Sequence, residues 1–280
     1  MTKQEVFDFL NKLKNVFDIV RLVNVNLAIQ YAFTEDGELV EKPYECYAVW
    51  NKDRRCENCI SAKALYHKCR MTKFEFVDNE VYHVISMYVE VDGMPFVLEM
   101  VNKTDDETLF GAYGKDDFSK TITAYTKKLY TDSLTGAFNR TYYDEQVKEL
   151  KNIHAAAIFD CDDFKIINDT YGHNAGDLAL KTIVNAAFSS VRSTDTLVRF
   201  GGDEFIIIFN DIPKEIFEEK LYMIKEKVRE SSIAEYPQIK LSVSIGGVYS
   251  DNRIENIISE ADEMLYKAKE EKNWVCIKII

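Results

Sequence analysis

The sequence predicts two domains: a small N-terminal α+β domain, and a C-terminal α-β layered domain whose central mixed sheet is flanked by helices. Three observations carry this. The 280 residues are too many for one small domain. The first hundred residues hold two helical stretches and several strand-like runs separated by turn dipeptides. From about residue 130 onward, apolar strands alternate with amphipathic helices, the pattern of a layered sheet.

The elements follow in order. Over 3–17, Val6, Phe9, Leu10, Leu13, Val16 and Phe17 recur at helical spacing. Ile19–Phe33 is β-rich, Asp36-Gly37 marks a turn, and Tyr44–Trp50 reads as a further strand. Ile60–Cys69 reads as a helix. Phe74–Val77, Val81–Val91 and Met94–Val101 then form a meander, with Asp78-Asn79 and Asp92-Gly93 as hairpin turns. The polar stretch 103–117, with Gly111 and Gly114, reads as a linker. Over 118–130, Phe118, Ile122, Tyr125 and Leu129 recur at 4-3-4 spacing, which fits a short coiled-coil seam or a connecting helix packed on its own domain. The boundaries are set at 1–112 for the first domain, 113–131 for the linker helix and 132–280 for the second domain.

In that second domain His154–Phe159 is an apolar strand ending at Asp160. Leu178, Ile183, Val184, Ala187, Phe188 and Val191 form a helical face. Leu197–Phe200 and Phe205–Phe209 are strands joined around Gly201-Gly202, and Leu241–Ile245 is another. Ile254, Ile257, Ile258, Ala261, Leu265 and Ala268 line a second helix, and Trp274–Ile279 reads as the last strand.

Composition narrows the function. With 46% apolar and 29% charged residues, the chain reads as globular rather than disordered. The net charge of -12 argues against a general nucleic-acid binder, which needs a basic surface. No apolar run approaches the ~18 residues of a membrane span. Met1–Leu10 lacks a basic start and an apolar block, so the expected compartment is the cytoplasm, with no membrane partner.

Two acidic features carry the chemistry. Asp160 ends an apolar strand, where a carboxylate stands beside a cleft. Asp203-Glu204 follows a Gly-Gly pair, which tolerates positive φ and a close approach of backbone to phosphate. If these strands are neighbours, three hard oxygen ligands converge in a way that suits Mg²⁺ and a triphosphate. A solvated acidic hairpin is the competing reading.

The run Arg199-Phe200-Gly201-Gly202-Asp203-Glu204-Phe205 resembles the signature of the GGDEF family of diguanylate cyclases. Asp132–Arg140 is similar to the family's opening segment, and Asp160–Asp169 to its metal- and base-binding segment. Tyr171–Asp177, Ser242–Gly247 and Ala261–Lys269 follow at the family's spacing, so the resemblance covers about 130–280. It implies condensation of two GTP into cyclic di-GMP with release of two pyrophosphates, by a homodimer using Mg²⁺ or Mn²⁺. It implies Asp160, Asp203, Glu204 and the carbonyl of Cys161 as metal ligands, and Asp203 as general base. It further implies Lys165 and Lys269 as phosphate contacts, Asn168 and Asp177 as guanine contacts, and Phe164 packed near the nucleotide. Asp177 reads otherwise as the N-cap of the Leu178 helix, and Lys165 as a surface lysine. Asp162 and Arg140 read as structural. Arg192-Ser193-Thr194-Asp195 matches the family's inhibitory product site, with Arg192 and Asp195 as its contacts. One departure is evident: where the family often has Gly then Arg, this chain has Lys272 and Asn273. An ammonium does not reproduce a bidentate guanidinium. A non-catalytic cyclic di-GMP receptor and a cyclase making another cyclic dinucleotide remain as rivals.

The N-terminal pattern resembles a PAS-type sensor domain. Cys46, Cys56, Cys59 and Cys69 fall within 24 residues. This spacing is compatible with a tetrahedral Zn²⁺ site, with an iron–sulfur cluster, or with ordinary thiols.

Overall fold

The computed structural model describes residues 1–52, 55–56, 58–78, 80–106, 108, 110, 114–148, 153–192, 194–210, 212–251 and 256–280. Asn79, Gly111, Ser193 and Ile254 lie outside the described residues. The chain divides into two compact units: Met1–Leu129 with Glu145–Leu150, and Tyr130–Asp144 with Lys151–Ile280.

The first unit is built on a six-stranded antiparallel sheet. Its strands are β1 (Ile19–Asn24), β2 (Ile29–Phe33), β3 (Leu39–Glu45), β4 (Arg70–Val77), β5 (Glu80–Val91) and β6 (Met94–Lys103), in the order β3-β2-β1-β6-β5-β4. Helix α1 (Lys3–Leu13) starts at a capping box between Thr2 and Glu5, which satisfies two otherwise unpaired amides. It buries Val6 and Leu10 against Leu22, Phe96, Leu98 and Met100. Tyr44–Trp50 is not a continuous strand. Pairing stops where the Cys46 amide turns back to the Ala28 carbonyl, and Ala48–Trp50 forms one 3₁₀ turn. Helix α2 (Ile60–His67) packs Ile60 and Ala64 over Val84, Val97 and Val101. Beneath it lies a buried polar knot: Arg21 pairs with Glu99 at 2.5 Å and donates to Gln30, while Ser61 bonds both Ser86 and Glu99. Helix α3 (Gly114–Tyr130) begins inside the stretch that reads as a linker. Its Phe118 is held by Phe74, Phe76 and Phe110 in edge-on and tilted ring contacts. Tyr125 and Leu129 of the same 4-3-4 series are exposed.

The second unit holds a five-stranded sheet, order β11-β10-β7-β9-β8, made of β7 (Ala155–Cys161), β8 (Thr196–Arg199), β9 (Glu204–Phe209), β10 (Val243–Tyr249) and β11 (Val275–Ile279). Only β10–β11 is parallel. The central strand β7 is buried from Ala155 to Phe159, because helices cover both faces. Phe159 stacks on Phe205 of β9 at 5.1 Å, and burying each such ring stabilises by about 1.5–3 kcal/mol. After the short helix α4 (Arg140–Tyr142), four longer helices among the described residues surround the sheet: α5 (Phe164–Tyr171), α6 (His173–Phe188), α7 (Lys214–Glu230) and α8 (Ile257–Glu271). Consecutive strand residues face opposite sides. A Cβ on Gly246 would meet Leu265 and Ala261 of α8, and one on Gly247 would meet Leu221 and Phe217 of α7. Helices α7 and α8 therefore cover opposite faces of β10. No helix among the described residues is long and apolar enough to cross a membrane.

Candidate active site

The site is assembled at one end of β7 and β9. Their register places Asp160 directly across from Glu204. The Phe200 and Gly201 amides both bond the Glu204 carbonyl, closing the turn that carries Asp203. The Cys161 amide donates to the Asp203 carbonyl at 3.3 Å and ties that turn to the end of β7. From α8, Lys269 Nζ reaches Asp160 Oδ2 at 2.9 Å. Burial pushes the Asp160 carboxyl up to about 6; Lys269 opposes this, and Asp203 and Glu204 add to it. Burial opposes the charge on Lys269, but the bond to Asp160 together with the charges of Asp160, Asp203 and Glu204 outweighs it and raises the ammonium above its ordinary value. Burial and Asp203 push the Cys161 thiol up. Among the described residues no three acidic, His or Cys side chains stand at metal-holding geometry. The donor set nevertheless fits a hard cation. Three carboxylates crowd one strand end, and their mutual repulsion is answered by a single ammonium.

The loop after β7 is held from below by Asp162. This buried carboxylate accepts from Ser242 Oγ at 2.6 Å, Ser244 Oγ at 2.7 Å and the Asn273 amide at 2.9 Å. Its own amide donates to the Ser242 carbonyl. The next residue, Asp163, takes a left-handed φ of 56° and starts α5. Lys272 Nζ pairs with Asp163 Oδ1 at 2.8 Å, so this lysine is committed to the loop.

Helix α5 carries Phe164, Lys165 and Asn168, and α6 carries Asp177. The two helices touch at Gly176. A Cβ there would stand 2.0 Å from Asn168 Oδ1 and 3.2 Å from Phe164. Asn168 and Phe164 thus pack over the residue that precedes Asp177. Asp177 does not cap its helix, because α6 starts four residues earlier at His173, after Gly172 with φ 85°. Both Asp177 and Lys165 are exposed. Arg192 is exposed, whereas Asp195 is buried and accepts from the amides of Arg192 (2.8 Å) and Asn210 (3.2 Å).

Sequence reasoning missed Arg199 and Gly176. Arg199 Nη1 bonds Asp132, and its Nε and Nη2 donate to the Gly202 carbonyl at 3.1 and 2.6 Å. The Gly-Gly turn is thereby clamped to the domain's opening segment. In the first unit Cys46, Cys56 and Cys59 line one small cavity, and Cys69 does not line it. Burial pushes the Cys56 thiol up to about 11 and raises Cys46 further.

The profile of the family described as "Diguanylate cyclase, GGDEF domain" matches residues 129–274. Over 153 residues the chain is 37% identical to the probable diguanylate cyclase DgcT of Escherichia coli strain K12, covering 50% of this chain and 34% of that one. Over 150 residues it is 35% identical to the diguanylate cyclase DgcS of Shewanella oneidensis, covering 49% of each. The chain thus spans less than half the length of either relative. The coiled coil and GGDEF domain of DgcB from Caulobacter crescentus, solved with c-di-GMP, superposes with a TM-score of 0.53 at 22% identity, covering 58% of this chain and 93% of that one, and so shares the fold. A profile match over more than half the chain, falling on the strands and helices that carry Asp160, Asp203, Glu204, Asn168 and Asp177, makes this chain a member of the GGDEF diguanylate cyclase domain family.

Proposed function

We propose that the protein is a diguanylate cyclase, condensing two GTP into cyclic di-GMP and two pyrophosphates. The single observation that best supports this is the convergence of Asp160, Glu204 and the Asp203 turn at one strand end, with Lys269 beside them. Asp203 takes the proton from a ribose 3′-hydroxyl as its oxygen bonds the α-phosphorus of the facing GTP. The bond from that phosphorus to the pyrophosphate oxygen breaks, and pyrophosphate leaves. The step occurs twice per product. Lys165 and Lys269 hold negative charge on the phosphates, and phosphoryl transfer depends chiefly on such positioning and electrostatics. Asp160, Asp203, Glu204 and the Cys161 carbonyl would hold Mg²⁺ or Mn²⁺, which when bound offsets triphosphate charge. Asp177 and Asn168 read the guanine edge: an acid there accepts from N1 and N2, and adenine offers no such pair. Phe164 packs near the base.

One GTP per catalytic domain requires two domains face to face, so the reading includes a homodimer. It includes product inhibition at Arg192 and Asp195, for which the exposed Arg192 guanidinium is the support. The reading places a PAS-like sensor over 1–112, a transmitting helix over 113–131 and the cyclase over 132–280. The antiparallel sheet order β3-β2-β1-β6-β5-β4, with α2 inserted between its halves, supports the sensor. The compartment proposed is the cytoplasm.

The experiment is incubation of the purified protein with Mg²⁺ and GTP, ATP or both, with products read by mass spectrometry. Cyclic di-GMP from the wild type and none from Asp203→Ala supports the reading. No product, with cyclic di-GMP still bound through Arg192, replaces it with a receptor. A mixed dinucleotide overturns the guanine assignment.

A further inference from the structure

A groove of about 580 Å³ lies in the first unit along β4, the edge strand of the sheet, and under α3. That volume falls in the range of small-molecule sites. Its lining divides into a basic end and an apolar end. Among the described lining residues, Lys52, Arg55 and Lys73 stand with one carboxylate, Glu75. Lys52 and Lys73 are both bonded to Glu75, and Lys73 also donates to the Asn58 carbonyl. Arg55 donates only to neutral groups, the carbonyls of Val25 and Asn26 at 2.9 Å each, and among the described residues no carboxylate pairs with it. Among the described lining residues three cations thus stand against one anion, in a protein of net charge -12. The guanidinium has five N–H donors, more than these two carbonyls use. The other end is formed by Phe74 and Phe76 of β4 and by Ile122 and Tyr125 of α3. Tyr125 is 66% exposed and Phe74 37% exposed, an apolar surface that no part of the described unit covers.

We infer that this groove binds a small organic anion with an apolar body, its charged group on Arg55 and Lys52 and its body between Phe74 and the Ile122–Tyr125 face of α3. Such a ligand answers both ends at once. The fork of Arg55 suits a planar anion, and the rings and Ile122 suit a flat apolar body. Binding here touches none of the residues of the cyclase site.

The test uses the full chain and 2-naphthoate as probe, with the neutral 2-naphthamide as its counterpart, followed by calorimetry and saturation-transfer NMR. The naphthoate is expected to bind one per chain, with the amide at least about tenfold weaker because the half-buried cations then lose their anionic partner. Lys52→Gln and Tyr125→Asp each weaken naphthoate by about fivefold or more. Both positions are partly or largely exposed, so both variants keep the wild-type far-UV spectrum. Absence of saturable naphthoate binding at millimolar concentration, equal binding of the amide, or unchanged affinity in both variants overturns the inference.

Discussion

Arg199 reaches Asp132, 67 positions earlier in the chain, at 3.1 Å, and with the rest of the same guanidinium holds the carbonyl of Gly202. The turn that carries Asp203 is thus fixed by a planar fork as well as by its own backbone bonds. Arg199→Lys keeps the charge and loses the fork. It is expected to lower kcat for cyclic di-GMP formation by about 10- to 100-fold, since small misplacement of a reacting group has costs of that order. Thermal unfolding and steady-state kinetics check this. An unchanged kcat would show that the turn holds its shape unaided.

Gly176 is the point where Asn168 packs against α6. Gly176→Ala puts a methyl group where Asn168 Oδ1 now stands, and the amide must swing away. The expected result is a higher KM for GTP, about tenfold or more, with selectivity over ATP reduced and little change in melting temperature. The obstructing atoms belong to a side-chain end, so the backbone need not shift. A large fall in stability with KM unchanged would contradict the assignment.

Lys272 ends α8 with φ 52° and ψ 156°, a region suited to glycine. Its ion pair with Asp163 is exposed and contributes little. Lys272→Gly is therefore expected to raise the melting temperature by a few degrees. A fall in calorimetry would mean that the Asp163 contact outweighs the backbone strain.

Glu75 gives the first unit a pH dependence. Burial pushes its carboxyl up, but Lys73 and Lys52 outweigh this and hold it below the ordinary carboxylate range. Its folded value being the lower one, the stabilisation is complete above the unfolded value of about 4.3 and is lost as pH falls through the folded value. Unfolding midpoints of wild type and Glu75→Gln should differ by a constant amount above about pH 5 and converge at lower pH. A difference that stays constant down to about pH 3 would refute the pairing.

Much of the catalytic unit was legible because its chemistry lies in contiguous strand–turn stretches: Asp160 at the end of an apolar run, Asp203-Glu204 after two glycines. What was hidden depends on partners far apart in sequence. The three donors to Asp162 come from Ser242, Ser244 and Asn273, and a local reading yields only a structural acid. The competing reading of Asp177 as a cap came from Leu178 opening the apolar stripe, yet Gly172 starts the helix earlier with small and polar residues. Helix α7 went unread although Phe217, Leu221, Ile224 and Val228 stand at plain helical spacing. In the first unit the expected strand through Trp50 failed at Cys46, where a backbone bond to Ala28 closes a turn that side-chain pattern does not encode.

Helix α3 is held near both ends, by the rings around Phe118 and by Tyr130, which is buried against the Tyr142 ring, while the residues between are largely bare. Mechanically this is a strut rather than a hinge. From Phe118 to Tyr130 it is about 18 Å long at 1.5 Å per residue. A strut passes on displacement along or about its own axis, so a rearrangement among the three rings would reach Tyr130 as a push or a twist and not as a free swing.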